Sequence, residues 1–182
     1  ITVLNSKYKL FSAAYTNRIK AGIGKLVGCS QKGFSSIRRA HEVIINLNVE
    51  ICKKIDNRQP AAAISFDFAA AFDTLDHGFI YATMQLFGFP PLMISILQMM
   101  IKGRNARIIN DSGELSIPFY IKRGVPQGDL HSPMTFIMCT AILLESLRKP
   151  IEPNFSPNSQ NERLIEAFAD DLSVVTSLNL DN

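Results

Sequence analysis

The stretch RLIEAFADDLSVVTS, residues 163–177, contains two apolar runs on either side of Asp170-Asp171. Short apolar runs that meet at a polar pair are typical of two strands joined by a tight turn. Adjacent residues of a regular strand face opposite sides, so these two aspartates can share one site only at such a turn. An earlier run, AAAISF at residues 61–66, predicts a short buried strand that ends at Asp67. The sequence therefore predicts a small sheet with acidic side chains at the strand ends.

Helical patterns occupy much of the remaining chain. Residues 6–28 predict a helix, and residues 38–55 predict a second helix. The second predicted helix has one apolar face, formed by Ala40, Val43, Ile44, Leu47, Ile51 and Ile55. Both helices precede the first predicted strand.

Local signals set the boundaries of the later elements. Asp76 is a predicted helix N-cap, and Pro91 is the predicted first residue of the next helix. Asp111-Ser112-Gly113 predicts a hairpin turn, and Ser132-Pro133 begins a predicted helix that ends near Arg148. Residues 150–162 predict a polar, proline-rich loop. Helices and strands do not alternate regularly along the chain, so we predict the α+β class, with a small antiparallel sheet packed on helices.

Composition excludes several classes of protein. The chain has 182 residues, 47% of them hydrophobic and 19% charged, which excludes disorder as a description of the whole chain. The longest apolar stretches fall short of the roughly 18–20 residues that a membrane span needs, so we expect no membrane association. Its three cysteines, Cys29, Cys52 and Cys139, are far apart in the sequence and favour a reducing compartment.

Charge is distributed unevenly along the chain. Residues 1–60 contain eleven Lys and Arg against three acidic residues, whereas residues 61–182 contain eight against thirteen. A basic part beside an acidic part suits a polyanionic partner and a cation-binding centre. Scattered, solvated surface charge is an equally good interpretation of this pattern.

The aspartates at the strand ends suggest metal chemistry. Converging carboxylates repel one another unless a cation lies between them, and Mg²⁺ is a hard ion that binds carboxylates together with substrate phosphates. Two such ions, roughly 3.5–4 Å apart, can activate a hydroxyl and hold the leaving phosphate oxygens. A lone aspartate at a strand end is also common as a cap, and an Asp-Asp pair is common in an ordinary hairpin turn.

Two further features suggest a binding pocket. Gly124 and Gly128 flank Pro126-Gln127 before a predicted helix, and glycines there allow the backbone to approach a ligand closely. Phe72 lies five residues after Asp67, where a ring could exclude the 2′-hydroxyl of a ribose. A glycine turn of this kind is an ordinary structural turn about as often as a binding loop, and core packing is the commoner role of a phenylalanine such as Phe72.

Taken together, these blocks resemble the reverse transcriptase of non-LTR (LINE-type) retrotransposons. The matching segments, in chain order, are ITVLNSKYKLFSAAYTNRIK (1–20), QKGF (31–34), ISFDFAAAFDTLDH (64–77), RGVPQGDLHSP (123–133) and FADD (168–171). The resemblance implies a right-hand polymerase with fingers at residues 1–60 and 77–122. It implies a palm at residues 61–76 and 123–182.

The resemblance also implies roles for the matching residues. Asp67, Asp170 and Asp171 would be catalytic and bind two Mg²⁺ ions, or Mn²⁺, with the carbonyl of Phe68 as a further ligand. Phe72, Gln127 and Gly128 would bind the nucleotide, and Arg38 would contact nucleic acid. Asp73 and Asp76 would be structural.

The sequence departs from the family pattern in several places. SSIRRA follows QKGF where relatives carry a Pro-Gly turn, and residues 68–71 lack the usual charged residues. LHSP replaces Pro-Leu-Ser-Pro, so we expect His131 to be a surface substitution. The family's later palm elements and its thumb have no counterpart, so we expect a fragment of a parent polyprotein.

The function implied by the resemblance is RNA-directed DNA polymerisation by two-metal nucleotidyl transfer onto a primer 3′-hydroxyl. Its partners would be an RNA template, a DNA primer and deoxynucleoside triphosphates. The alternative is a catalytically dead, retrotransposon-derived fragment with at most weak nucleic-acid binding. An RNA-templated RNA polymerase is a third interpretation, which Phe72 disfavours. We expect an intracellular location, nuclear if the parent element is active.

Overall fold

The structure is a computed structural model, and it describes residues 3–34, 39–148 and 163–178. The predicted loop at residues 150–162 and the predicted nucleic-acid contact Arg38 lie outside these ranges. Six helices and five strands lie within the described residues, in the order α1 (Ser6–Leu26), α2 (Ala40–Asp56), β1 (Ala61–Phe66), α3 (Ala71–Thr74), α4 (His77–Leu86), α5 (Pro91–Ile101), β2 (Asn105–Ala106), β3 (Phe119–Tyr120), α6 (His131–Arg148), β4 (Leu164–Phe168) and β5 (Asp171–Ser177).

The main sheet is antiparallel and has three strands in the order β1-β5-β4. β5 is the central strand, paired with β1 from Leu172 to Ser177 and with β4 from Asp171 to Val175. β2 and β3 form a separate two-stranded hairpin. The α+β class predicted from the sequence is therefore confirmed.

The hydrophobic core surrounds α6. This helix is buried on nearly every side over its first eleven residues, as expected for a helix that packs against several neighbours. α1, α4 and β4 all contact it. A smaller apolar cluster joins α6 to the sheet through Leu144, Ile165, Ala167 and Leu172. The sheet is thereby held in a fixed position relative to the helices.

Most predicted element boundaries are confirmed. β1 spans the predicted residues 61–66, and β4 and β5 occupy the two apolar runs around Asp170-Asp171. Asp76 caps α4, because its Oδ1 accepts a hydrogen bond of 2.9 Å from the Phe79 backbone N–H. Pro91 begins α5 as predicted. α6 begins at His131, two residues before the predicted first helical residue Pro133, so Ser132 lies within the helix and the predicted cap there is wrong.

The predicted buried face of α2 is wrong in part. Ile44 is 61% exposed and Ile55 is 68% exposed, whereas Lys54 is buried. The reason is that α2 packs on β4 and β5, so the position of the sheet decides which face is covered. The buried Lys54 ammonium lies 3.5 Å from a carboxylate oxygen of Glu50, which compensates its loss of solvent.

β1 is not the buried strand that the sequence predicts. Ile64 is 45% exposed and Phe66 is 47% exposed. β1 lies at the edge of the sheet and pairs only with β5 among the described strands, so one of its sides is open.

Residues 28–34, which we call the edge segment, run along the outer side of β4. The Lys32 N–H donates to the Ala167 carbonyl at 2.7 Å, and the Ala167 N–H donates to the Ser30 carbonyl at 2.7 Å. The edge segment therefore extends the sheet by one short parallel bridge between Gln31 and Ala167.

No helix in the described part of the chain has the length and apolar character needed to cross a membrane.

Candidate active site

Asp170 and Asp171 lie at the turn between β4 and β5. The last cross-strand pair joins Phe168 to Asp171, so Ala169 and Asp170 form a two-residue hairpin loop. Ala169 has a φ of 56°, in the left-handed region that costs a residue with a side chain about 1–2 kcal/mol. The turn predicted from the sequence is therefore present, with an unfavourable backbone conformation at its first residue.

Asp67 follows the last residue of β1, which pairs with Leu172 of β5. In the preceding pair, the Oγ atoms of Ser65 and Ser173 lie 3.1 Å apart, so these paired side chains share one face of the sheet. The last observed pair joins Phe66 to Leu172, so one further step of the same register would set Asp67 opposite Asp171, on that same face. Cα atoms of directly opposed residues in antiparallel strands are about 4.5–5.5 Å apart. The register thus brings two of the three predicted aspartates to one end of the sheet.

The donor chemistry at this end of the sheet suits a hard divalent cation. Asp67 and Asp171 are exposed and Asp170 is partly buried. Mg²⁺ is usually held by one or two carboxylates plus substrate phosphates, so two exposed carboxylates fit it. Within residues 3–34, 39–148 and 163–178, no three His, Cys, Asp or Glu side chains are grouped closely enough to hold a metal. The three-carboxylate arrangement and the ligand role of the Phe68 carbonyl therefore stay predictions.

Phe72 contacts two other aromatic rings, Phe34 and Phe136. Its ring stacks on Phe136 of α6 with centroids 4.7 Å apart and planes 26° apart. Phe34 of the edge segment contacts Phe72 edge-on, with centroids 6.4 Å apart and planes 85° apart. The ring of Phe72 is only partly buried, so it both packs in the core and presents a surface.

The turn at residues 124–128 is bound to the backbone around Phe72. The Val125 N–H donates to the Phe72 carbonyl at 2.9 Å, and the Gly124 N–H donates to the Leu75 carbonyl at 2.7 Å. Gly124 has a φ of 81°, and a Cβ there would lie 2.5 Å from the Asp73 carbonyl oxygen. Only glycine fits this close approach.

Gln127 and Gly128 lie at the exposed tip of this turn. The Gln127 amide Nε2 donates to the Asp73 carboxylate at 3.2 Å. This contact joins Gln127 to the residue that follows Phe72 in the chain. Asp73 is thus a positioning partner of Gln127, a pairing that the sequence does not reveal because 54 residues separate the two.

His131 is wholly buried, so the predicted surface position is wrong. Its Nε2 lies 3.2 Å from Asp129 Oδ2, and Thr135 Oγ1 lies 3.4 Å from its Nδ1. The Ser12 hydroxyl of α1 donates to the other oxygen of Asp129. The physical reason for the burial is this polar network, which satisfies the imidazole beneath the turn at residues 124–128.

The network also changes the acidity of its members. Burial alone would raise the pKa of Asp129, but hydrogen bonds from His131, Ser12 and Tyr8 stabilise the carboxylate and lower its pKa to about 2. Burial and the neighbouring Asp129 carboxylate raise the pKa of Tyr8. Asp129 is therefore a carboxylate at neutral pH, and sequence reasoning did not single it out.

Arg104 is a second residue that the sequence did not single out. Its Nη2 donates to the Gly124 carbonyl at 3.4 Å, which supports the turn from the base of the β2–β3 hairpin. Burial lowers the pKa of this guanidinium, whereas Tyr8, Asp129 and Tyr81 act in the opposite direction. The sequence gives little indication of this supporting role, because Arg104 lies outside every motif quoted above.

The architecture and the site together define a class of fold, the fingers-and-palm fold of polymerases: a small antiparallel sheet with acidic residues at its strand ends, packed on helices. The chain matches the family model described as reverse transcriptase (RNA-dependent DNA polymerase) over residues 1–180. It belongs to the reverse transcriptase family.

Curated relatives agree with this assignment. The chain is 25% identical over 185 residues to a probable RNA-directed DNA polymerase from transposon BS of Drosophila melanogaster, covering all of this chain and 19% of that protein. It is 27% identical over 173 residues to the Pol polyprotein of the type-1 retrotransposable element R2 of Popillia japonica, covering 94% of this chain and 24% of that one. The chain therefore spans about a fifth to a quarter of the length of these relatives.

Solved structures confirm the fold. Telomerase from Candida tropicalis, in complex with a fragment of telomeric RNA, matches with a TM-score of 0.65 at 14% identity, covering 93% of this chain and 29% of that one. Telomerase from Candida albicans matches with a TM-score of 0.60 at 13% identity, covering 89% of this chain and 30% of that one. At these identities the likeness concerns the fold alone.

Proposed function

We propose that this chain forms the polymerase centre of a non-LTR retrotransposon reverse transcriptase, which copies an RNA template into DNA. The observation that carries the proposal is the β1–β5 register, whose last pair, Phe66 with Leu172, lies one residue before Asp67 and one residue after Asp171 at one end of the sheet. The family match and the polymerase names of the curated relatives support the same activity. The substrates would be an RNA template, a DNA primer and deoxynucleoside triphosphates.

In the proposed reaction the primer 3′-hydroxyl loses its proton and attacks the α-phosphate of the nucleotide. A new phosphodiester bond forms, the bond between the α- and β-phosphates breaks, and pyrophosphate leaves. Asp67, Asp170 and Asp171 would hold two Mg²⁺ or Mn²⁺ ions, with the Phe68 carbonyl as a further ligand. When bound, such ions supply positive charge to the attacking and leaving oxygens.

The pocket residues have separate roles in the proposal. The Phe72 ring, supported from behind by Phe136, would pack against the sugar and exclude a 2′-hydroxyl. Gln127, oriented by the Asp73 carboxylate, would contact the nucleotide together with Gly128. Arg38 would contact nucleic acid. We also propose the division expected from the sequence, with fingers at residues 1–60 and 77–122 and palm at residues 61–76 and 123–182.

One observation favours the second candidate, a non-catalytic fragment that binds nucleic acid weakly. The chain spans only 19–24% of the length of its curated relatives, and within the described residues Ile64 and Phe66 of the edge strand are about half exposed. Under this alternative, the aspartates have no catalytic role in the chain itself.

A primer-extension assay distinguishes the two candidates. We would supply RNA template, DNA primer, Mg²⁺ and deoxynucleotides to this chain and to the longest natural protein that contains it. Asp67→Asn and Asp170→Asn should abolish extension, whereas Asp111→Asn, at the exposed tip of the β2–β3 hairpin, should preserve it. Extension by the native proteins that survives both active-site substitutions would refute the proposal. Absence of extension by the chain alone would support the second candidate for the fragment.

A further inference from the structure

The side chain of Gln31, in the edge segment, contacts the turn that carries Asp170. Its Oε1 accepts hydrogen bonds from the Ala169 N–H at 2.9 Å and the Gly33 N–H at 2.8 Å. Its Nε2 donates to the Ala169 carbonyl at 3.0 Å. Gln31 is 1% exposed, so its amide satisfies both backbone groups of Ala169 away from water.

These contacts fall on the residue of the turn that has the least favourable backbone. Ala169 has a φ of 56°, and such a conformation persists in a residue with a side chain only where the surroundings enforce it. The next residue is Asp170. The direction of that carboxylate therefore depends on the conformation that Gln31 stabilises.

The edge segment approaches the turn very closely. A Cβ at Gly33 would lie 2.2 Å from the Ala169 backbone nitrogen. Nothing larger than glycine fits between the two backbones at this point, so the edge segment touches the turn at Gly33 as well as through the Gln31 side chain. This places Gln31 by backbone packing as well as by hydrogen bonding.

Contacts on both sides of Gln31 hold the edge segment itself. The Arg148 Nη2 at the end of α6 donates to the Ser30 hydroxyl at 2.6 Å. The Lys32 ammonium lies 3.7 Å from the buried Glu166 carboxylate of β4, which also accepts a hydrogen bond of 2.7 Å from Asn46. Removing one partner of a buried ion pair leaves the other charge buried and uncompensated, which is strongly destabilising. The ion pair therefore fixes the edge segment against the sheet.

We propose that Gln31 is a positioning residue that holds the Ala169-Asp170 turn, and with it the acidic side chains, in the geometry that binds divalent cations. The inference rests on the proposed function. Phe34, in the same segment, contacts Phe72 edge-on, so one segment supports both the acidic turn and the aromatic pocket. Partners of metal ligands typically change metal affinity about 10–100-fold when they are removed.

The test compares three variants of the chain by amide hydrogen exchange and by Mn²⁺ binding in the presence of template–primer. Gln31→Leu fills the same space without polar contacts, and Gln31→Glu keeps the acceptor oxygen. Gln85→Leu, on the exposed side of α4, is the matched control. We expect Gln31→Leu to lose protection of the Ala169 and Gly33 amides and to weaken Mn²⁺ binding about tenfold or more. Gln31→Glu should retain protection of both amides, and Gln85→Leu should behave as the native chain.

Native-like Mn²⁺ affinity and amide protection in Gln31→Leu would overturn the proposal. If Gln31→Leu unfolds, as loss of protection throughout β5 would reveal, Gln31→Glu decides. Exposure of the Ala169 amide in Gln31→Glu, with β5 still protected, would then overturn the proposal. If the native chain binds no Mn²⁺ and Asp170→Asn has no effect on Mn²⁺ binding, the proposed function fails. Hydrogen exchange at the Ala169 and Gly33 amides then decides by itself whether Gln31 holds the turn.

Discussion

The Asp129 carboxylate lies 3.2 Å from Nε2 of His131, and both side chains are almost completely buried. Asp129 directly follows the turn that presents Gln127, and His131 is the first residue of the central helix α6. Ser12 of α1 donates to the same carboxylate, so three separate parts of the chain meet at this point. The geometry of the proposed nucleotide pocket therefore depends on one buried charge.

Stability should fall in acid because of Asp129. Its folded-state pKa of about 2 lies below the unfolded value of about 3.9, so the carboxylate contributes stability above roughly pH 4. That contribution, roughly 2–3 kcal/mol, is lost as the pH falls from 4 towards 2. In urea unfolding from pH 2 to 6, the free energy of unfolding of the native chain should fall with decreasing pH by this amount. The same pH dependence should be absent in Asp129→Asn. A slope in Asp129→Asn as steep as that of the exposed control Asp111→Asn would contradict the assignment.

Gly124 and Gly113 provide a matched test of the close approach at the turn. Their φ angles are 81° and 82°, but a Cβ at Gly124 would contact the Asp73 backbone, whereas one at Gly113 would meet nothing within 4 Å. Both Ala substitutions carry the left-handed cost of about 1–2 kcal/mol. We expect Gly124→Ala to lose about 1–3 kcal/mol more in the free energy of unfolding, measured by denaturant titration. Equal losses would show that the turn does not pack on α3 as described.

How much the sequence predicts depends on whether the decisive contact is local. The Asp76 cap and the hairpin at Asp170 are set by neighbouring residues, and both are confirmed. The burial of His131 depends on Ser12 and Asp129, and Ser12 is 117 residues away from Asp129 in the chain. Periodicity alone carries no information about such a partner.

The same limit explains the errors on α2 and β1. Apolar spacing identifies α2 as a helix, but its covered side depends on where β4 and β5 lie. Strand propensity identifies β1, but its position at the sheet edge depends on topology. In the site, the residue types and the turn were predictable, while the partner Asp73 and the contacts of Gln31 required the three-dimensional arrangement.

Phe72→Val should relax sugar discrimination in the proposed polymerase. Removing the ring opens space beside the sugar and also removes the stacking on Phe136, which is worth about 0.5–1.5 kcal/mol. We expect the ratio of ribonucleotide to deoxynucleotide incorporation to rise about tenfold or more in single-nucleotide extension assays. Phe87→Val, in the same hydrophobic core but outside the pocket, should leave that ratio unchanged. An unchanged ratio in Phe72→Val, with extension intact, would remove Phe72 from the selectivity role.

The thiols should react at two distinct rates. Cys29 and Cys52 are exposed, whereas Cys139 is buried in α6 and burial raises its pKa to about 12. Because the thiolate is the reactive form, Ellman's reagent at pH 8 should label two thiols quickly and the third only on unfolding. Cys139→Ser should abolish only the slow phase. Rapid labelling of Cys139 in the native chain would show that the packing around α6 is wrong.

The most direct test of the account is the position of bound metal. Crystals of the chain with template–primer, an incoming deoxynucleotide and Mn²⁺ would locate the ions by anomalous scattering. We predict an anomalous peak that marks a Mn²⁺ ion coordinated by the carboxylates of Asp67 and Asp171, on one face of the sheet. Ions bound elsewhere, or the two carboxylates on opposite faces, would contradict the central claim.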